Sequence, residues 1–404
     1  MVSFDRVPLM TGREITIEWR PEMEKSVRRS ASLLMLVVLI TGLGFLLVTY
    51  PGANGVDAAQ VSQSTAGIED LDIDDSASNI DWDALPTTSV TLSDEDLTIT
   101  EAGTYVLTGS STASVIVDAT DLDVRLVLSG VDINSTTNAA IVVADAETVV
   151  IQLAGDTTNT LSDASSRADE EIDGVVYSSD DLLIEGDGEL TITANFADGI
   201  VSKDDLSISG GTITVTSVDD GIRGKDSVVI TGGTLVVNSE GDAIKSTNDS
   251  DAGKGFILVQ SGTMTINTGS DGMQAEQALL VVDGNIQVES SVEGLEAPVL
   301  IINGGDITIY ASDDGINASA STFVTTGLAI VINGGTLDIT VGPGDTDAID
   351  SNGDVYINGG SINLTAPTSS VDFDGTGAFN GGTLVVNGET LTELPRGMMG
   401  GRGR

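Results

Sequence analysis

The sequence predicts an all-β solenoid, a parallel β-helix with rungs of about 22 residues, preceded by one apolar N-terminal segment. Three observations predict it: glycine-ended pairs at a regular step, period-two apolar alternation on both sides of each pair, and no competing helical period.

The pairs are Gly210-Gly211, Gly232-Gly233, Ser261-Gly262, Asp283-Gly284, Gly304-Gly305, Gly334-Gly335, Gly359-Gly360 and Gly381-Gly382. They lie 22, 29, 22, 21, 30, 25 and 22 residues apart, a base step with insertions that a solenoid accommodates at its corners. After each pair apolar residues alternate, as in Ile213 and Val215, Leu235 and Val237, or Ile307 and Ile309. A second strand precedes it, as in Leu206 and Ile208, Val228 and Ile230, or Leu300 and Ile302. Between these falls one apolar residue in register: Ile200, Ile222, Ile244, Met273, Leu295, Ile316 and Ile349. Alternation turns each set to one face, so three short strands per coil enclose a common interior. Residues 88–190 are less regular but still β-like, as terminal coils that close an open end tend to be.

Residues 31–50, ASLLMLVVLITGLGFLLVTY, carry no charge and are long enough to cross a ~30 Å hydrocarbon core as one transmembrane helix. Lys25, Arg28 and Arg29 precede them, so the positive-inside rule puts residues 1–30 in the cytoplasm. The expectation is a single-pass cell-membrane protein with an extracellular β-helix. A cleaved signal sequence, giving a secreted protein, is the alternative. Residues 51–87 form a polar, acidic linker, 88–390 the β-helix, and 391–404 a disordered Gly/Met/Arg tail.

With 62 acidic against 16 basic residues the net charge is −46, which disfavours nucleic acid and anionic lipid as partners. There is no Cys or His, which excludes disulfides, thiolate nucleophiles and imidazole catalysis. Zinc, copper and iron, which favour nitrogen and sulfur ligands, are disfavoured too. Carboxylate, amide and carbonyl oxygens remain, the ligand set of Ca²⁺.

Those oxygens are ordered. The turn before each single inward residue carries an acid: Asp198, Asp220, Asp242, Asp271, Glu293, Asp314 and Asp347. Asp219, Asp313 and Asp345 thicken this line, and Asp350 follows Asp347 by three. A shorter line runs through Asp180, Asp204, Asp226 and Asn248. Stacked carboxylates ~5 Å apart repel by about 3 kcal/mol at an effective dielectric of 20. Calcium between coils would turn that repulsion into stability, so all of these acids except Asp180 are candidate metal ligands. Turn propensity explains any single Asp, but does not demand an acid at the same place in successive coils.

Lys203 stacks on Lys225 and Arg223 on Lys245, at the same corner as the acids. They either neutralise neighbouring Asp or meet the carboxylates of an acidic polysaccharide, and are the candidate carbohydrate-binding residues. Aromatic residues make up only 3% of the chain, few for stacking against neutral glucans; Phe196, Phe256 and Tyr310 fall near turns.

The stretches TLSDEDLTITEAGTYVLTG, RLVLSGVDI, NFADGIVSKDDLSISGGTITVTSVDDGIRGKDSVVITGGTL and GDAIKSTND resemble the bacterial carbohydrate-binding-domain-containing β-helix family, over about residues 88–388. The resemblance implies a right-handed, single-stranded parallel β-helix with several bound calcium ions and affinity for polygalacturonic acid. Its coil is similar to that of family 9 pectate lyases. The function it implies is non-catalytic, calcium-dependent binding of acidic polysaccharide. In the lyases a basic residue beside calcium abstracts the C5 proton of galacturonate, and Lys245 or Arg223 is the counterpart by position. However, Arg223 stands where a ligand carboxylate is wanted, three residues after Asp220, so no catalytic residue is assigned. A calcium-dependent polysaccharide lyase is the alternative function, and a calcium-stiffened surface protein or adhesin a further one.

Overall fold

The structure, a computed structural model, describes residues 71, 73, 76–344 and 346–395. Its regular elements there are β-strands and two 3-10 turns, Ser76–Asn79 and Trp82–Ala84. Nearly all strands pair in parallel, each with the equivalent strand one coil away, in three ladders.

The first ladder holds the short strands that follow the acid turns, among them Asp198–Ser202, Ile222–Gly224, Ile244–Ser246, Met273–Ala275, Leu295–Glu296, Ile316–Ala318 and Asp347–Ser351. It forms a 12-stranded sheet. The other two ladders lie on either side of the glycine pairs, as where Asp205–Ile208 pairs with Ser227–Ile230 and Thr212–Ser217 with Thr234–Ser239. They join into one 24-stranded sheet. Two early strands, Gly103–Ser111 and Val124–Asn134, continue through the corner at which later coils break, with Gly109 and Gly130 at positive φ where their register shifts.

Register follows the apolar pattern. Ile200, Ile222, Ile244, Met273, Leu295, Ile316 and Ile349 stack in one column, all fully buried. A one-residue slip would turn that column to solvent, so burial fixes the pairing. The glycine pairs are needed at the opposite corner. Gly233 has φ +89°, and a Cβ there would lie 2.9 Å from the Gly210 carbonyl oxygen, so neither the backbone nor the space admits a side chain.

The C-terminal end closes with a reversal. Thr383–Val386 and Glu389–Leu391 form an antiparallel pair joined by Asn387 and Gly388, both at positive φ, the geometry of a two-residue hairpin turn. Leu391 and Leu394 pack against the core. Near the N-terminus, Arg125 lies 5.0 Å from the Trp82 ring.

A second apolar cluster lies on the outer side of the second ladder, where Val229, Leu258, Ile301 and Val331 stand in register. Leu71 and Ile73 pack against it. Phe256 is wholly buried in this cluster, so it is a packing residue and not a surface for sugar.

The expected single-pass membrane protein is corrected. Among the described residues there is no α-helix, and no helix is long and apolar enough to cross a membrane. Residues 31–50, which suggested one, lie outside the described residues.

Truncating the column should cost far more than trimming the surface. Ile244→Ala is expected to destabilise the protein by about 2–5 kcal/mol, and Thr234→Ala, at an exposed position, by less than about 0.5 kcal/mol in urea unfolding. Equal losses would contradict the inward register.

Candidate cation-binding face

The first ladder carries two parallel columns of polar side chains. One is the acid column, Asp198, Asp220, Asp242, Asp271, Glu293, Asp314 and Asp347. The residues three positions later pair in register, from the apolar Val201 into the polar column Arg223, Lys245, Gln274, Glu296, Asn317, Asp350 and Asp372.

A backbone bond sets the acid column. The Asp220 N–H donates to Asp198 Oδ1 (3.0 Å), Asp242 N–H to Asp220 Oδ1 (2.8 Å), and Asp271 N–H to Asp242 Oδ1 (3.0 Å). Glu293 N–H donates to Asp271 Oδ1 (3.0 Å) and Asp347 N–H to Asp314 Oδ1 (2.7 Å). Each of these carboxylates therefore satisfies a backbone donor of the next coil, a demand that does recur at the same place in successive coils. The small residue after the acid follows from the same closeness: a Cβ on Gly221 would lie 2.6 Å from the Ala243 carbonyl oxygen. Asn could accept the same bond, so the charge needs a separate account.

In the N-terminal half the protein supplies its own counter-charge. Arg223 Nη2 bonds the carboxylates of Asp173 and Asp198, and Lys203 lies 3.1 Å from Asp173. Lys245 Nζ lies 2.6 Å from Asp242 Oδ2 and 3.6 Å from Asp220 Oδ2. Burial alone would lower the pKa of Lys245, but its bond to Asp242 and the charge of Asp220 outweigh that and raise it above the ordinary lysine value. Lys245 is therefore a held cation and not a base poised near neutrality. In the shorter line, Lys254 pairs with Asp226 and lies 3.9 Å from Asp204, Asn248 Nδ2 donates to Asp226 Oδ1 (2.6 Å), and Lys225 approaches Asp226 at 3.7 Å.

The C-terminal half differs, because the sequence has no Lys or Arg between Lys254 and Arg396. Asp271, Glu293 and Glu296 bring one carboxylate oxygen each to within 4.8 Å of one another, and so do Asp347, Asp350 and Asp372. Burial is the first cause that lifts Asp271 to about 7, Glu293 to about 8 and Asp350 to about 7. Neighbouring carboxylates add to it: Asp242 and Glu296 on Asp271, Glu296 on Glu293, Asp314 and Asp347 on Asp350. Asn317 Nδ2 donates to both Glu293 carboxylate oxygens (3.0 and 2.9 Å), while the buried Asn317 Oδ1 and Gln274 Oε1 have no hydrogen-bond partner. Carboxylates beside spare amide oxygens are the hard donor set that fits Ca²⁺.

The expected metal ligands thus divide. Asp271 with Glu293, and Asp347 with Asp350, are gathered into clusters without basic neighbours. Asp198, Asp219 and Asp220 form a cluster, but Arg223 already occupies Asp198. Asp204 clusters with Asp181 and Asp205; burial, then its bond with Asp226, lifts it to about 6. Asp242 is engaged by Lys245 and Asp226 by Lys254, Asp314 caps Asp347, and Asp313 is exposed outside these clusters. Asp345 lies outside the described residues. Of the basic residues, Lys203, Arg223 and Lys245 are taken up by acids, and Lys225 is the most exposed. Phe196 lies under Arg167, 4.7 Å from ring centre to guanidinium, and Tyr310 is half exposed. Sequence reasoning missed Glu296, Asp372, Asp173, Asp181 and Asp205. The three-residue spacing noted for Asp347 and Asp350 also joins Glu293 to Glu296, and is the signal that finds it.

The family model for carbohydrate-binding domain-containing protein matches residues 93–345 and 297–393. The chain belongs to this family. A curated relative of the same description, from Acetivibrio thermocellus, is 35% identical over 171 residues, which make up 41% of this chain. The chain spans 59% of that relative's length. A solved structure described as the polysaccharide lyase-like protein from C. thermocellum, gadolinium derivative, is 24% identical with a TM-score of 0.48, over 70% of this chain and 99% of that one.

The raised carboxyl values fix a pH dependence for the metal-free protein. An unfolded carboxyl has a pKa of about 4, so between about pH 4 and 8 the native state holds more protons and stability falls as pH rises. The melting temperature in EDTA is expected to drop from pH 5 to pH 8, and Glu293→Gln to flatten that slope. A rise over the same range would contradict the assignment.

Proposed function

We propose that the chain binds an acidic polysaccharide of the polygalacturonate type without cleaving it, through Ca²⁺ held on the C-terminal half of the acid column. The observation that carries this reading is the pair of carboxylate clusters, Asp271–Glu293–Glu296 and Asp347–Asp350–Asp372, in a stretch without basic residues, on a member of a carbohydrate-binding family. A cation there compensates buried carboxylates and retains coordination positions for an outside oxygen. Ca²⁺ takes 6–8 oxygens, more than three carboxylates and an amide provide unless several bind bidentately. A uronate carboxylate is suited to complete the shell. Asp198, Asp219, Asp220 and Asp204 are secondary ligands in this proposal, and Lys225 is the basic residue left best placed to meet the polymer. Parallel crossovers are right-handed in ~98% of cases, and we infer that hand for the coil. No observation favours the lyase reading, since Arg223 and Lys245 are both ion-paired.

The test is affinity electrophoresis in gels containing polygalacturonate, with calcium or with EDTA. Retardation is expected in calcium only, with none on a neutral glucan and no rise in absorbance from unsaturated sugar ends. Equal mobility in calcium and EDTA would reject calcium-dependent binding, and accumulating unsaturated product would replace binding with cleavage.

A further inference from the structure

Two long insertions leave the solenoid at the same corner, between the first and second ladders. One joins Ile244–Ser246 to Phe256–Val259, the other Ile316–Ala318 to Ala329–Ile332. Between them two coils turn that corner tightly, from Met273–Ala275 to Ala278–Val281 and from Leu295–Glu296 to Val299–Ile302. Rungs stack about 4.8 Å apart, so the insertions are about 14 Å apart and wall a trough two coils wide.

Both walls are tied down. Gln277 Nε2 donates to the carbonyl oxygens of Asn248 (3.2 Å) and Asp251 (2.6 Å) in the first loop. In the second, Ser319 Oγ donates to Glu296 Oε1 (2.6 Å), and the N–H groups of Phe323 and Val324 donate to Ser321 Oγ (3.2 and 3.0 Å). On the side of the second loop lies an open cleft of ≈ 240 Å³, lined by Gln274, Glu276, Glu296, Ser319, Ser321 and Thr322 together with three alanines and a proline, its exposed surface mostly polar. This polar lining suits hydroxyl groups, which both donate and accept. Gln274 brings a side-chain amide to this lining, a group that can both donate to and accept from a sugar hydroxyl. Glu296 belongs both to this lining and to the Asp271–Glu293–Glu296 cluster, so a ligand in the cleft sits directly beside the cation position.

We propose that this cleft seats one uronate residue of the polymer, with its hydroxyls toward Gln274, Glu276 and the serines and its carboxylate toward the cation at Glu296. The assignment rests on the polysaccharide-binding reading above and adds which coils hold the sugar. The N-terminal stretch of the face, where Arg223 and Lys245 are consumed by acids, then adds to affinity chiefly through Lys225.

The test is calorimetry of trigalacturonate binding to the full chain in calcium, with a separate calcium titration without sugar. Thr322 is exposed and lines the cleft, so Thr322→Trp fills it without disturbing the core; Thr325→Trp, exposed on the same loop outside the lining, is the control. Thr322→Trp is expected to weaken trigalacturonate at least tenfold with calcium binding unchanged, and Thr325→Trp to behave as wild type. Wild-type affinity in Thr322→Trp, or equal losses in both variants, overturns the cleft assignment while leaving calcium-dependent binding intact. No trigalacturonate binding by the wild type in calcium overturns both.

Discussion

The constraint on which the molecule depends is a hydrogen bond repeated along the first ladder: a carboxylate oxygen of one coil accepts the backbone N–H of the acid in the next. A parallel coil must satisfy its turn donors or bury them at a cost of about 1–3 kcal/mol each. This device satisfies them with side chains, and so places acids one above another. Once the first oxygen is committed to the backbone, the second belongs to a crowded, partly buried column. That arrangement calls for positive charge.

The chain answers in two ways. From Asp173 to Asp242, Lys203, Arg223 and Lys245 fold back onto the acids and neutralise the face from within. From Asp271 onward the corresponding column supplies Gln274, Glu296, Asn317, Asp350 and Asp372 instead, adding oxygen where the other half adds nitrogen. In the proposed reading the self-neutralised half holds cations only weakly, and the uncompensated half is stabilised by protonation or by a bound cation. The proposed function is assigned to the second half for this reason, and the insertions that flank the neighbouring corner give it walls.

Much of the fold was legible in the sequence because the solenoid's rules are local. Period-two alternation and the glycine step fix coil length, and the single residues from Ile200 to Ile349 mark the third strand; all of them are buried in one column. The site was legible only in part. The acid column is visible because it recurs, but what each acid touches depends on which basic side chain, from its own coil or the next, folds onto it. Asp198 is bound by Arg223 and Asp242 by Lys245, relations across 25 residues and three residues that composition cannot rank. Glu296 follows Glu293 by the same three residues that separate Asp347 and Asp350, a signal present in the sequence, whereas Asp372 joins the column only through its pairing with Asp350. Phe256, near a turn in sequence, packs in an outer apolar cluster that recurs in register from Val229 to Val331, so its burial too is set by the pairing of coils.

The most direct test of this division is anomalous diffraction at long wavelength from crystals grown in saturating calcium. The account predicts peaks enclosed by Asp271, Glu293 and Glu296 and by Asp347, Asp350 and Asp372, with none displacing Arg223 from Asp198. Bare carboxylates in both clusters, or calcium seated only in the half that carries Arg223 and Lys245, would contradict it.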